Sequence, residues 1–511
     1  MVTSSFDKYY GPARAVEGNM LRPWEVQFWL EDSPGKTLHS KLLNKLTADI
    51  KDGRLNPGSM LPGTRSLANQ LKVNRKTVQQ VYEELESQGW LETKLRSGTF
   101  VSKVLPEQGL TAKNANLTNQ KYKTKSSSEL LETLYQGALE AYGDMAVSND
   151  GTPDTRLIPY QLLARAYRRV CLNLGRHSNL GYGDPRGTIE LRNSVKKMLS
   201  EDRFMNCSTE QVCIVRGSQM GIYLASRVLD PSKGAIVMEE LCYSPARAAF
   251  ESNGFKILKC KLDEKGLNVG HLQELLLSNK VAGVYITPHH QYPTTVCLTM
   301  DRRLTLLELS KRHKFAVIED DYDHEFHYEA NPIPPLVSLP NSENVIHIGS
   351  MSKVFAPGLR LGYIAADKGF IERAAQEIVL IDRQGNIVTE HVISDLMESG
   401  EVRRHIRKTR KQYETRRNFA AKEFTRIFGN KVSFTLPTGG MAIWLDISKL
   451  VKGQELKTLH SEDSTLNTSY TDESVSPSHI RFGFGAINEK EITQSIVKLS
   501  KILNGGRKGE W

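Results

Sequence analysis

Several features that would place a chain in a specialised class are scarce in this sequence. Its 511 residues include six cysteines with no C-x-x-C spacing, which argues against a disulfide framework and a cysteine-based zinc site. No apolar run approaches the ~18 residues that a membrane span needs, and the first twenty residues lack the apolar core of a secretion signal. We therefore expect a cytoplasmic protein with no membrane segment and no metal site.

Acidic residues are also scarce, but only in one part of the chain. There are 68 Lys+Arg against 58 Asp+Glu, for a formal net charge of +10. Residues 36–125 hold about 16 basic and about 7 acidic residues, so this stretch carries nearly the whole excess. From charge alone, a solvated surface and a nucleic-acid-binding module are equally good explanations. The length of the chain predicts more than one domain.

Residues 36–104 have the pattern of a small helical domain that ends in a hairpin. Apolar residues at helical spacing predict a first helix that Gly53 ends, then a second helix, then a third from about Asn74 to Gly89. The alternating segment that follows predicts a β-hairpin turned at Ser97-Gly98. Helix, helix, tight turn, helix and hairpin is the order of a winged helix-turn-helix domain.

Five residues of this domain are candidate DNA contacts. Arg75, Lys76 and Thr77 begin the third helix, where a helix-turn-helix protein touches base edges and phosphates. We expect Arg65 to reach a phosphate or a guanine edge, and Gly98 to let the wing approach the DNA backbone. Taken alone, Arg75 and Lys76 would more often be an ordinary exposed helix start.

The wider pattern of this domain resembles the GntR family of winged-helix regulators. The matching positions are Ile50, Gly53, Leu55, Gly58, Leu61-Pro62, Arg65, Leu67-Ala68, Val73, Arg75, Thr77-Val78, Tyr82 and Gly98-Thr99-Phe100-Val101. By that resemblance Arg65, Arg75, Thr77 and Gly98 are DNA contacts.

The rest of the chain predicts a linker and a larger α/β body. Residues 105–145 are polar with few apolar anchors, which predicts a linker with a short helix at Ser128–Tyr142. In residues 146–511, β-type runs alternate with helical ones, which predicts a mostly parallel sheet with helices on both faces. Within this body we expect a long basic helix over Gly400–Phe428 and a polar loop over Ser461–Pro477.

The segment around Lys353 carries the most informative chemistry. Lys353 follows a predicted strand. Ser350 and Ser352 precede it closely, and Arg360 follows it by seven residues. A lysine can form a Schiff base with an aldehyde cofactor, while serine hydroxyls and an arginine can hold its phosphate. A surface lysine near a turn is the ordinary alternative, so other residues must support this interpretation.

Three further segments support it. Asp320 and Tyr322 end a predicted strand, where a carboxylate can pair with a protonated pyridine nitrogen and a hydroxyl can bond a phenolic oxygen. Ser218 and Gln219 open a helix whose N–H groups form an anion site. Arg481 lies on a late strand, suited to clamp a substrate carboxylate. Singly, each segment has a plain structural explanation: a strand-end turn, a βα turn and an edge-strand arginine.

Together, residues from about 150 to 505 resemble fold-type I aminotransferases, which use pyridoxal 5′-phosphate (PLP). The resemblance implies that Lys353 binds the cofactor covalently, that Asp320 faces the pyridine nitrogen and that Tyr322 faces the phenolic oxygen. It implies that Tyr243 lies over the ring and that Arg481 holds an amino-acid carboxylate. It assigns the phosphate to Ser218, Gln219, Ser350, Ser352 and Arg360. Tyr182 matches a tyrosine that in this fold reaches the phosphate of the neighbouring subunit, which implies a homodimer.

A winged helix, a linker and such a body in this order resemble the MocR subfamily of bacterial regulators. The chain departs from the pattern at residues 289–295, HHQYPTT, where Tyr292 replaces the asparagine that normally touches the phenolic oxygen. His289 and Thr295 depart even from the subfamily.

The resemblance implies a PLP-dependent, DNA-binding transcription regulator. Its signal would be a small amine, an amino acid or PLP, and its transamination would be partial rather than efficient. An active aminotransferase with an accessory DNA-binding domain is the alternative. A DNA-binding scaffold that has lost cofactor use is a third hypothesis, against which the intact Lys353, Asp320 and Arg360 argue.

Overall fold

A computed structural model describes most of the chain. The described residues are 37–95, 97–106, 128–143, 151–176, 180–328, 333–351, 353–450 and 478–505. Ser352 and the expected polar loop Ser461–Pro477 lie outside them, as does most of the expected linker. The chain divides into two compact units, residues 1–125 and 126–511. The domain boundaries that the sequence suggests, at residues 104 and 146, stay predictions.

The first unit has the expected order of elements. Its helices are α1 (Leu38–Lys51), α2 (Thr64–Leu71) and α3 (Arg75–Ser87), and its hairpin is β1 (Leu91–Lys94) and β2 (Gly98–Val101). Apolar residues spaced along the three helices form one buried core, which includes Leu42, Leu46, Leu67, Val78, Val81 and Leu85. The Tyr82 hydroxyl donates a hydrogen bond of 2.9 Å to the Pro62 carbonyl, which ties α3 to the segment that enters α2.

The second unit alternates strands and helices. Its helices are α4 (Glu129–Gly143), α5 (Tyr160–Arg176), α6 (Ile189–Arg203), α7 (Ser218–Val228), α8 (Ser244–Ser252), α9 (Val269–Ser278), α10 (Met300–His313), α11 (Lys368–Ile381), α12 (Ile387–Glu398), α13 (Glu401–Phe428) and α14 (Glu489–Gly505). Its strands are β3 (Val212–Val215), β4 (Ala235–Glu239), β5 (Ile257–Cys260), β6 (Leu262–Asp263), β7 (Gly266–Leu267), β8 (Val281–Ile286), β9 (Ala316–Asp321), β10 (Val345–Ser350), β11 (Gly362–Ala365), β12 (Ala442–Asp446) and β13 (His479–Gly483).

Seven of these strands form one mixed sheet in the order β3-β11-β10-β9-β8-β4-β5. Neighbours from β10 to β5 are parallel, whereas β11 is antiparallel to both β10 and β3. The expectation of a mostly parallel sheet is therefore confirmed. Since β3 is reversed twice relative to β10, strands β3, β4, β8, β9 and β10 all end at the same edge of the sheet.

Helices cover both faces of this sheet, as the sequence predicts. Successive strand residues point to opposite faces, so Ile318 packs with α7, α8 and α11 while Val317 packs with α9 and α10. A smaller layer contains α13 and α14, which pack on the antiparallel strands β12 and β13 around Phe424 and Ile492. None of the helices in the described ranges has both the length and the apolar character that crossing a membrane requires.

Gly349 in β10 is the clearest position where the fold excludes a side chain. A Cβ there would overlap the ring of Tyr363, which is itself buried. We expect Gly349→Ala to displace that ring and lower the free energy of unfolding by about 1–3 kcal/mol, measured by urea denaturation. Gly358→Ala is the control, because nothing lies within 4 Å of a Cβ at that site. A Gly349→Ala midpoint equal to that of wild type and control would contradict this account.

Candidate functional site

Asp320 is buried near the end of β9, a central strand of the sheet. Its Oδ2 accepts a hydrogen bond of 2.8 Å from the Tyr285 hydroxyl on the neighbouring strand β8. Its Oδ1 is buried and has no hydrogen-bond partner. Burial raises the pKa of Asp320 to about 7, although the hydrogen bond from Tyr285 lowers it. The carboxyl group therefore presents one buried oxygen to any donor that enters the site.

Sequence reasoning missed Tyr285. The signal for it is one hydroxyl in the otherwise apolar run VAGVYI, but its partner Asp320 is 35 positions away. Only the pairing of β8 with β9 brings the two side chains together.

Lys353 and Arg481 meet at the same glycine. The Lys353 Nζ donates a hydrogen bond of 2.9 Å to the Gly151 carbonyl oxygen. A Cβ on Gly151 would lie 3.4 Å from Nη2 of Arg481, and the glycine has a φ of +68°. The structure thus brings together the predicted cofactor lysine and the predicted carboxylate clamp, which lie 128 positions apart in the sequence.

Arg481 is held in place by the segment that departs from the aminotransferase pattern. Its Nη1 donates a hydrogen bond of 2.8 Å to the Pro293 carbonyl, and its guanidinium lies 4.9 Å from the centre of the Tyr292 ring. Tyr292 in turn meets Tyr243 edge to face at 5.3 Å. The Tyr292 ring therefore contacts Tyr243 on one side and Arg481 on the other, and it stabilises the arginine by a cation–π interaction.

Gly217 lies beside three of the predicted phosphate ligands. It precedes α7 with a φ of +76°, so that Ser218 and Gln219 begin the helix where N–H groups point outward. A Cβ on Gly217 would lie 2.9 Å from Nη2 of Arg360, and this nitrogen donates a hydrogen bond of 3.0 Å to the Arg216 carbonyl. The arginine and the helix start therefore lie side by side.

Ser350 reaches the same place from β10. It is the last residue of that strand and is paired with Gly362 of β11. A Cβ on Gly362 would lie 2.9 Å from the carbonyl carbon of Gly217, so the two glycines allow a close approach of backbones. Four predicted phosphate ligands, Ser218, Gln219, Ser350 and Arg360, are thus grouped, whereas Ser352 lies outside the described residues.

Two tyrosines have surroundings that the sequence did not foresee. The Tyr322 hydroxyl donates a hydrogen bond of 2.8 Å to the His290 carbonyl. Tyr182 is 83% exposed, and its ring lies 5.4 Å from the Arg383 guanidinium. The roles predicted for both tyrosines stay predictions.

The predicted DNA contacts form an exposed basic surface on the first unit. Arg65, Arg75 and Lys76 are exposed and Thr77 is half-buried. The Asn74 side chain caps α3 by accepting a 2.8 Å hydrogen bond from the Lys76 amide, which fixes where the helix begins.

Gly98 has a local structural reason to be glycine. Its φ is +112°, and a Cβ there would lie 2.8 Å from Cε of Met60. This backbone conformation is one that side chains rarely adopt.

Comparison with known proteins agrees with both units. Similar proteins include an uncharacterized HTH-type transcriptional regulator, YdeL, from Bacillus subtilis (strain 168), 26% identical over 90% of this chain and 96% of that protein. They also include the probable rhizopine catabolism regulatory protein MocR from Rhizobium meliloti, 28% identical over 82% of this chain and 81% of that protein.

Solved structures match the second unit. An archaeal alanine:glyoxylate aminotransferase is 26% identical with a TM-score of 0.67, over 75% of this chain and 96% of that chain. The kynurenine aminotransferase of Pyrococcus horikoshii, solved in complex with PMP, is 25% identical with a TM-score of 0.66. The match covers 78% of this chain and 99% of that chain.

Two family models match the chain in the predicted order. Residues 38–101 match bacterial regulatory proteins of the gntR family, and residues 149–499 match aminotransferase class I and II. This combination, with MocR among the relatives, confirms the resemblance that the sequence suggested. The chain therefore belongs to the class I and II aminotransferase family and carries a gntR-family DNA-binding module ahead of that domain.

Proposed function

We propose that this protein is a transcription regulator that binds DNA through its first unit and PLP through its second. The signal would be a small amine, an amino acid or PLP itself. The observation that carries the proposal is the convergence of Lys353 and Arg481 on Gly151, in a chain that also has a gntR-type module. Similarity to named HTH-type regulators over most of the chain supports it.

The residues present fit PLP. Asp320 has a buried carboxylate oxygen without a partner, which suits a charged N–H donor such as a pyridinium. Arg360 and the start of α7 offer positive charge and N–H groups of the kind that bind phosphate. When bound, PLP supplies an aldehyde that exchanges amines and a ring that withdraws electrons.

The chain's own residues then have distinct tasks. Lys353 would supply the amine that holds the cofactor covalently, and Asp320 would keep a proton at the pyridine nitrogen. Ser218, Gln219, Ser350, Ser352 and Arg360 would bind the phosphate. Arg481, fixed by Pro293 and Tyr292, would orient the carboxylate of an amino-acid effector. Tyr243 would lie over the ring, and Tyr322 would face its phenolic oxygen.

Regulation would require that effector binding and DNA binding be coupled. An effector amine that took the place of Lys353 would remove the hydrogen bond between Nζ and the Gly151 carbonyl. A coupling free energy of about 1–3 kcal/mol between effector and DNA would be enough for regulation. In a cytoplasmic homodimer, Tyr182 would reach the phosphate of the neighbouring site.

Lys353 is the residue on which the cofactor proposal depends. We expect the purified full-length protein to turn yellow with PLP, and borohydride reduction followed by peptide mass spectrometry to find the label on Lys353. Lys353→Ala should lose both the colour and the label, because the variant lacks the amine that we assign to the bond with the aldehyde.

Lys368→Ala is the matched control, since Lys368 is exposed and pairs with Glu372 on α11. This variant should keep both signals. A colourless wild type, or equal labelling of the Lys353→Ala variant, would refute covalent cofactor binding at this residue.

Arg75 is the residue with which to test the DNA interface. We expect Arg75→Ala to weaken binding to a fragment selected from genomic DNA by about ten-fold or more in a gel shift at fixed salt. Arg54→Ala removes the same charge on the same unit, but Arg54 pairs with Asp49 and Asp52 and should have little effect. Equal affinities for Arg75→Ala and wild type would contradict the proposed interface.

The second candidate function is amino transfer itself. The buried position of Arg481 beside Tyr292 favours it, because a fixed arginine suits repeated binding of amino-acid carboxylates. The regulator hypothesis predicts slow conversion of PLP by an amino acid without sustained turnover when a keto acid is added. Multiple turnovers measured by product formation would instead favour the enzyme.

A further inference from the structure

A buried group of histidines and carboxylates lies next to the end of β9, separate from the residues discussed above. Within the described residues, His289, Asp321 and His324 each place one ligand-type atom so that the three atoms lie within 4.8 Å of one another. All three side chains are buried. His327 adds a further ring, 4.9 Å from that of His324. Such a group needs either internal hydrogen bonds or a cation to offset its desolvation.

Hydrogen bonding does not satisfy the converging atoms. His289 Nε2 lies 2.8 Å from the Ile333 carbonyl oxygen, which can only accept, so this nitrogen carries the proton. In the neutral ring His289 Nδ1 then has a lone pair, and it lies 3.3 Å from Asp321 Oδ1. His289 Nδ1, Asp321 Oδ1 and His324 Nδ1 are all buried without a hydrogen-bond partner.

The charge around these atoms also favours a cation. Arg203 donates to Asp321 Oδ2 at 2.9 Å, to Glu325 Oε1 at 2.6 Å and to His347 Nε2 at 3.0 Å. His347 in turn bonds Glu319 through Nδ1 at 2.9 Å. The Arg203 guanidinium is thus the one positive group in these contacts, which include the carboxyl groups of Asp321 and Glu325 directly and that of Glu319 through His347. Asp321 keeps its other oxygen, Oδ1, on the side of His289.

The spacing of the group is compatible with tetrahedral coordination. Zinc binds histidine nitrogen and carboxylate oxygen at about 2.0–2.2 Å, which places neighbouring ligands of a tetrahedron about 3.3–3.5 Å apart. Here Asp321 Oδ1 lies 3.3 Å from His289 Nδ1, and the three ligand atoms of the group lie within 4.8 Å of one another. His324 Nδ1 lies 3.2 Å from the other oxygen of Asp321, Oδ2. Two imidazoles and one carboxylate suit zinc and related transition metals, whereas magnesium and calcium prefer all-oxygen ligands.

We propose that His289, Asp321 and His324 bind a divalent transition metal, with zinc as the best match. The Ile333 carbonyl would orient His289, and Arg203 would orient Asp321, as outer partners commonly do at metal sites. His324 also lines a cavity of about 870 Å³, together with His327 and Arg203. Of the three proposed ligands, His324 borders this cavity, from which water or a small ligand would complete the coordination.

The proposed metal site is distinct from the proposed cofactor site. Asp320 and Asp321 are consecutive residues of β9, and consecutive strand residues point to opposite faces. Asp320 meets Tyr285, whereas Asp321 meets Arg203. Metal binding is thus independent of the proposed function, and the Lys353→Ala variant should retain it. This proposal differs from the expectation of no metal site, which rested on the spacing of the cysteines alone.

The test uses full-length protein stripped with a chelator and then loaded with zinc. We expect about one zinc per chain after gel filtration, and Co²⁺ to give the visible spectrum of a tetrahedral site that zinc abolishes. His289→Gln and His324→Gln should each weaken zinc affinity by at least about ten-fold in competition with a chromophoric chelator. His313→Gln is the control for adventitious surface binding, because His313 is exposed at the end of α10.

A second measurement covers variants that do not fold. The X-ray absorption spectrum of zinc-loaded wild type should contain imidazole and carboxylate ligands and no sulfur. The proposal is overturned by a wild type that binds no zinc, by folded His289→Gln and His324→Gln variants with wild-type affinity, or by sulfur ligands from any of the six cysteines. It is supported if zinc binding is lost in these two variants and kept in His313→Gln and Lys353→Ala.

Discussion

The common direction of strands β3, β4, β8, β9 and β10 is the constraint on which the site depends. Because these strands end at one edge of the sheet, the segments that follow them all begin at that edge, however far apart they are in the sequence. Gly217 follows β3, Asp320 lies near the end of β9, and Ser350 ends β10. The reversed strand β11 lies between β3 and β10 and places Gly362 against Gly217. A sheet with another strand order would separate the helix start from Ser350.

The periodic and motif-bearing parts of the sequence were predictable, because their signals are local. Short runs of apolar residues mark β3, β4 and β8 and begin β9, as expected for buried parallel strands. Helical spacing in the first unit predicts three helices, and the Asn74 cap sets the start of α3.

Contacts that join distant segments were not predictable. The Lys353–Gly151 hydrogen bond spans 202 positions, and neither residue carries a local signal for the other. The Ile333 carbonyl oxygen, which accepts a hydrogen bond from His289 Nε2, belongs to the backbone and so has no side-chain signature in the sequence. Tyr292 looked like a defect in the aminotransferase pattern, yet its ring lies against Arg481. The tyrosine that stands in place of the asparagine thus contacts the arginine. This contact depends on the fold, which brings residues 292 and 481 together.

Asp320 and Asp321 show how one strand can serve two kinds of chemistry. They are adjacent and both buried, yet burial raises the pKa of Asp320 to about 7 while its neighbours hold the pKa of Asp321 well below its usual range. The difference comes from the two faces. Burial raises the pKa of both groups. At Asp320 the neutral Tyr285 hydroxyl offsets this only in part, whereas at Asp321 the nearby His289 and His324 rings and the Arg203 guanidinium outweigh it.

The two carboxyl groups are therefore suited to opposite partners. A carboxyl group whose pKa lies near neutrality gains most from a partner that brings its own proton, as a protonated ring nitrogen does. A buried carboxylate that keeps one oxygen without a hydrogen bond, as Asp321 does, is suited to a cation that brings no proton. Because the alternation of β9 separates the two faces, a change of partner at one aspartate need not move the other. The doubled aspartate thus follows from strand geometry: each face of the sheet edge receives one acid, and its surroundings decide what that acid binds.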